Sequence, residues 1–91
     1  MIKYKYAVSV QCDLNEVGKI IYDSLQYDNR ATAVQSAQAF LKANLTKDSA
    51  QPIIEMAVNT LKWNNSFKVE NEDLRLEITL ITYTNIERED G

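Results

Sequence analysis

Asp13-Leu14-Asn15-Glu16-Val17-Gly18-Lys19-Ile20-Ile21-Tyr22-Asp23-Ser24-Leu25-Gln26-Tyr27-Asp28 is the stretch on which the fold turns. It carries two patterns at once. As a helix, Asp13 and Glu16 make a capping pair, and Leu14, Val17, Ile21 and Leu25 recur at helical spacing. As a hairpin, Asp13 to Gly18 reverses the chain, and Lys19 to Tyr27 returns as a strand rich in β-branched and aromatic residues. Gly18 would cost an interior helix about 1 kcal/mol. Asp28-Asn29 also reads as a fresh helix start. The hairpin is the favoured reading, and the helix stays open as its alternative.

The flanks are clearer. Upstream, Tyr4, Tyr6, Val8, Val10 and Cys12 alternate with Lys3, Lys5, Ala7, Ser9 and Gln11, the period of a half-buried strand. Downstream, Ala33, Val34, Ala37, Phe40, Leu41 and Leu45 form the apolar stripe of a helix over 29–45. Asp28 or Asn29 would cap it, and Arg30, Gln35, Gln38 and Lys42 lie mostly off the stripe. A second helix follows, capped by Asp48 or Ser49, with Pro52 in its first turn and Ile53, Ile54, Ala57, Val58 and Leu61 inward. Phe67 to Glu70 reads as a short strand and Asn71-Glu72-Asp73 as a turn. Leu74, Leu76, Ile78 and Leu80 then alternate with Arg75, Glu77 and Thr79 in a long last strand.

The order is β-β-α-α-β-β, with a third helix replacing the second strand under the alternative. Either order gives an α+β fold: a small, mostly antiparallel sheet of three or four strands, with the helices on one face. Tyr4, Tyr6, Val8, Val10, Leu74, Leu76, Ile78 and Leu80 are expected to meet the helices. The 91-residue chain reads as one domain over 1–86 with a polar acidic tail at 87–91.

Composition narrows the chemistry. With no histidine, the usual general base and the Ser-His and Cys-His couples are missing. One cysteine without histidine cannot build an ordinary zinc site. Glycine occurs only at positions 18 and 91, so no phosphate-cradling loop or dinucleotide fingerprint can be written. Cys12 shares the parity of the buried residues and reads as core. Glu70, Glu72 and Asp73 form an acidic patch in a hairpin turn, without the spacing of a calcium loop. No enzyme activity, metal or cofactor is expected.

The net charge of −3 is uneven. Residues 1–62 hold seven basic and six acidic groups, whereas residues 63–91 hold three basic and seven acidic. That is no nucleic-acid footprint, and Lys3 and Lys5 point away from Tyr4 and Tyr6, so no stacking groove forms. A basic protein is the partner the acidic third would suit. The alternating first residues do not read as a signal peptide, no apolar run would span a membrane, and the free cysteine suits a reducing compartment. A cytoplasmic location without membrane contact is expected.

What remains is surface. Ile81 and Tyr83 have the parity of the open side of the last strand, with Arg75 and Glu77. Joined there by Tyr22, they would form an apolar spot of the kind that marks an interface. The expectation is a non-catalytic protein-interaction module that self-associates. Its size and composition also suit a phage or mobile-element accessory protein that inhibits a host system by binding it. Two rivals are a small-ligand binder with a pocket near Tyr4, Tyr6 and Tyr27, and a structural subunit of a larger assembly.

Overall fold

The computed structural model describes residues 2–15 and 17–86. The tail expected at 87–91 and the capping role considered for Glu16 lie outside the described residues. The elements are β1 (Ile2–Leu14), β2 (Gly18–Asp23), α1 (Arg30–Asn44), a 3₁₀ turn (Asp48–Ala50), α2 (Gln51–Leu61), β3 (Ser66–Glu70) and β4 (Leu74–Ile86). The order is the β-β-α-α-β-β of the hairpin reading. The four strands form one antiparallel sheet in the order β2-β1-β4-β3.

Gly18 decides the fork at residues 13–28. Its φ of 88° is the left-handed conformation that glycine adopts freely. It closes a three-residue turn and pairs with Leu14. The residue that would weaken a helix is the one the turn requires. No heavy atom stands within 4 Å of an added Cβ, so the requirement is dihedral and not spatial.

β2 is shorter than the sequence suggests. It ends at Asp23 instead of Tyr27. Ser24 then takes the place of a strand residue beside β1. Its backbone N–H donates to the Val8 carbonyl (2.9 Å), and its Oγ accepts from the Val8 N–H (2.8 Å). Tyr27 returns to β1 through a pair of backbone bonds with Tyr6. Asn29 caps α1, its side chain accepting from the Thr32 N–H at 2.8 Å. Asp28, the other candidate, forms an ion pair with Lys5.

The core lies between the sheet and the two helices. Val8, Val10, Cys12, Leu74, Leu76, Ile78 and Leu80 meet Ala33, Val34, Ala37, Leu41, Ile54, Ala57 and Leu61, all buried. The alanines of α1 let its backbone approach the sheet. Burying the first and last strands against both helices is the main source of stability, at about 25 cal/mol per Å² of apolar surface. Tyr4 departs from the expected inner row: it is 52% exposed because β1 runs on past the helices.

Arg30 ties the layers together. Although it starts α1, its Nη1 donates to the carbonyls of Leu61 (3.1 Å) and Asn64 (3.2 Å). Its Nη2 donates to Asn65 Oδ1 at 2.9 Å. One guanidinium thus satisfies carbonyls at the end of α2 that the helix leaves open and fixes the entry to β3.

Two stability predictions follow from this packing. Leu76→Ala should lower unfolding free energy by about 2–5 kcal/mol in urea, since it opens a cavity at a fully buried site. Arg30→Ala should cost roughly 1–3 kcal/mol. Arg30→Lys should recover only part of that, because an ammonium cannot span the three acceptors as a planar fork does.

Candidate functional site

The side of the sheet away from the helices divides into two halves. Near the β1–β2 turn, the register builds a row across all four strands: Lys19, Asp13, Arg75 and Glu70. The signs alternate along that row. The next row is Ile21, Gln11, Glu77 and Lys68. Arg75 Nη2 lies 2.9 Å from Glu70 Oε1, and Lys68 Nζ lies 3.9 Å from Glu77 Oε1. Glu70 holds the Arg75 proton more firmly, first by the hydrogen bond and then by its charge. These side chains are well exposed, so the pairs contribute little to stability. They make this half a solvated, self-neutralising surface.

The other half is a projecting ribbon. β1 and β4 are each 13 residues long and pair along their whole length. β2 pairs with β1 only from Ser9 onward, and β3 covers β4 only between Arg75 and Thr79. Beyond Ala7 and Ile81 the two central strands therefore continue as a two-stranded ribbon, with Tyr27 touching its base at Tyr6. The molecule is accordingly long, 57 × 22 × 18 Å, with a radius of gyration of 15.0 Å. A rounded domain of this length would have about 12 Å.

Three of the exposed large apolar residues stand on this ribbon. Ile81 (36%) and Tyr83 (39%) lie on its open face, and Tyr4 occupies the opposite one. Leu25, also exposed, stands in the loop beside its base. The exposed apolar residues elsewhere, Val17, Ile21, Met56 and Trp63, are dispersed over a turn, β2 and α2 with its end.

The residues named from the sequence thus separate into three places. Arg75, Glu77, Ile81 and Tyr83 share the open face of β4, but the first two are held in the charged rows and the last two in the ribbon. Tyr22 does not join them. It pairs with Val10, so it faces the helices, and its ring stacks on Phe40 of α1 with centroids 4.8 Å apart and planes inclined by 12°. Parity within β2 could not be read from the sequence because Ile20, Ile21 and Tyr22 are all apolar. The neighbour on the open face is Ile21.

Glu70, Glu72 and Asp73 lie at the end of the sheet opposite the ribbon. Asn71 Oδ1 accepts the backbone N–H groups of Asp73 (2.8 Å) and Leu74 (3.0 Å), which forms the turn. Asn15 clamps it to the β1–β2 turn, donating from its backbone to the Asp73 carbonyl and from its side chain to the Glu72 carbonyl. Glu70 is turned toward Arg75. Among the described residues, no group of three or more Cys, Asp or Glu gathers as a metal site. A cleft of about 260 Å³ opens at this same end, lined by Leu14, Val17, Leu45, Ile53 and Leu74 among others. Tyr4, Tyr6 and Tyr27 are not among its walls.

Cys12 lies in the core beneath α1 and α2. Burial pushes its thiol pKa above the ordinary value, and the charge of Asp13 adds to the shift. Asp28 moves the other way: the Lys5 hydrogen bond and charge hold its carboxyl below its ordinary value of 3.8. The Lys5–Asp28 contribution is therefore present above that value and lost as pH falls through the lower, folded one. Among the described residues, no helix is long and apolar enough to cross a membrane.

The chain matches no protein-family model, no curated protein and no solved structure.

Native Cys12 should react with iodoacetamide at pH 8 far more slowly than it does in the urea-unfolded chain. Equal rates in the two states would show the thiol to be accessible and overturn its place in the core.

Proposed function

We propose that this protein is a protein-interaction module that self-associates, and that the β1–β4 ribbon is its contact surface. The observation that carries the reading is the ribbon itself. A two-stranded ribbon is marginal in water, and this one, whose faces no other strand or helix among the described residues covers, carries Tyr4, Ile81 and Tyr83 outward. A covering partner would remove both the exposed rings and the open strand edges from water. The charged rows at the other half supply solubility. The aromatic residues fit the composition of interface cores, where tyrosine is enriched and lysine and glutamate are depleted.

The acidic turn at the far end, apart from the ribbon, is where a basic partner would bind. A host-inhibiting accessory role is one biological setting for such a module and rests on size and composition alone.

Tyr83→Ala and Ile81→Asp test the reading. Each should shift association, measured by light scattering after size exclusion over a range of concentrations, while moving the melting temperature by no more than a few degrees. If both unfold the chain, or if both leave association at its wild-type level, the ribbon is not the contact surface.

A further inference from the structure

The ribbon has two edges, and they differ in chemistry. Leu80 donates its backbone N–H outward to the Asn65 carbonyl at 2.7 Å. Strand alternation then aims the N–H and C=O groups of Thr82, Thr84 and Ile86 outward as well, away from β1. No strand among the described residues pairs with them there. On β1, the outward bonds of Tyr6 go to Tyr27, which leaves Tyr4 and Ile2 to face out.

The β4 edge reads Ile81-Thr82-Tyr83-Thr84-Asn85-Ile86. It has no charge, no proline and no glycine, and four of its residues are β-branched. It lacks the lysines and prolines with which proteins blunt an exposed edge. The β1 edge reads Ile2-Lys3-Tyr4-Lys5 and carries two lysines. Pairing two β1 edges about Tyr4 would set Lys3 of one chain opposite Lys5 of the other, two lysines face to face, with Lys5 already engaged by Asp28. Pairing two β4 edges sets neutral residues opposite each other throughout.

The register is also defined. Leu80 is already engaged by Asn65, so the free outward groups begin at Thr82 and run to Ile86, with Thr84 at their midpoint. A two-fold axis through Thr84 places Thr84 opposite its copy, Thr82 opposite Ile86 and Tyr83 opposite Asn85. All the outward N–H and C=O groups from Thr82 to Ile86 are then matched in one antiparallel ladder.

We propose that a second copy of this chain pairs antiparallel along the β4 edge, centred on Thr84, to give one continuous eight-stranded sheet in a closed two-fold dimer. This rests on the ribbon being the contact surface and specifies which of its edges is used. All helices then lie on one side of the joined sheet. Tyr4 and Tyr83 of each chain flank the seam on opposite sides and extend the buried area beyond the backbone ladder.

The test is a symmetric cross-link in the full chain. In a Cys12→Ala background, Thr84→Cys puts one thiol on each side of the axis, about 5.5 Å apart between Cα atoms, within disulfide reach. Mild oxidation should give covalent dimer from Thr84→Cys and little from Tyr4→Cys. In the wild-type background Thr84→Lys should weaken dimerisation at least tenfold in sedimentation equilibrium. Tyr4→Lys, one strand away from the seam, should weaken it less than Thr84→Lys does. Far-UV circular dichroism of each variant checks that the fold is kept.

Cross-linking through Tyr4→Cys alone would overturn the β4 edge while leaving a self-associating ribbon. Assemblies that grow open-endedly with concentration would point to β4 pairing with β1 of the next copy and would also overturn the closed dimer. A wild-type chain monomeric to millimolar concentration would sink self-association altogether. A ribbon that still loses a different partner on Tyr83→Ala would show that the contact surface survives that failure.

Discussion

The pairing of β1 with β4 is the constraint on which the other elements depend. These strands come from the two ends of the described chain and run side by side from Leu14–Leu74 to Ile2–Ile86. Their inner residues form the floor of the core, and their outer sides receive β2 and β3. The helices have no apolar platform until this pair exists. Because roughly sixty residues must be looped before Leu14 meets Leu74, the closure entropy is spent before most contacts form. Long-range pairings of this kind slow folding, and the local β1–β2 and β3–β4 hairpins shorten the search.

Much of this was legible in the sequence. The alternation in β1 and β4 gave their inner faces residue by residue, and the period of the α1 and α2 stripes gave the faces that cover them. Binary patterning serves well where one side is wet and the other dry. It served poorly in β2, whose consecutive Ile20, Ile21 and Tyr22 carry no parity, so the side of the sheet that Tyr22 takes follows only from its pairing with Val10. Where pattern failed, geometry decided: the glycine that penalised a helix supplied the positive φ of the turn.

Other features lay beyond any local pattern. Arg30 reads as a surface residue of α1, yet it reaches acceptors more than thirty positions away. Ser24 replaces a strand with a hydroxyl. The ribbon exists because β2 and β3 stop early, and strand length relative to a neighbour is a property of the sheet. Ile81 and Tyr83 were found by parity, but their separation from Arg75 and Glu77 depends on where the flanking strands end. The candidate surface was thus visible as residues and not as a shape.

The antiparallel pairing of β1 with β4 also fixes how the domain responds to force. Ile2 stands opposite Ile86, so a load applied at these two points pulls across the strands and not along them. Hydrogen-bonded pairs then open one after another, like teeth of a zipper, in place of a simultaneous shear. The domain should be mechanically soft when stretched through its paired ends, whatever its resistance to heat or denaturant. A second chain laid along β4 would add a further ladder that tension must also peel, so association would harden the ribbon most at the tip, where a single chain yields first.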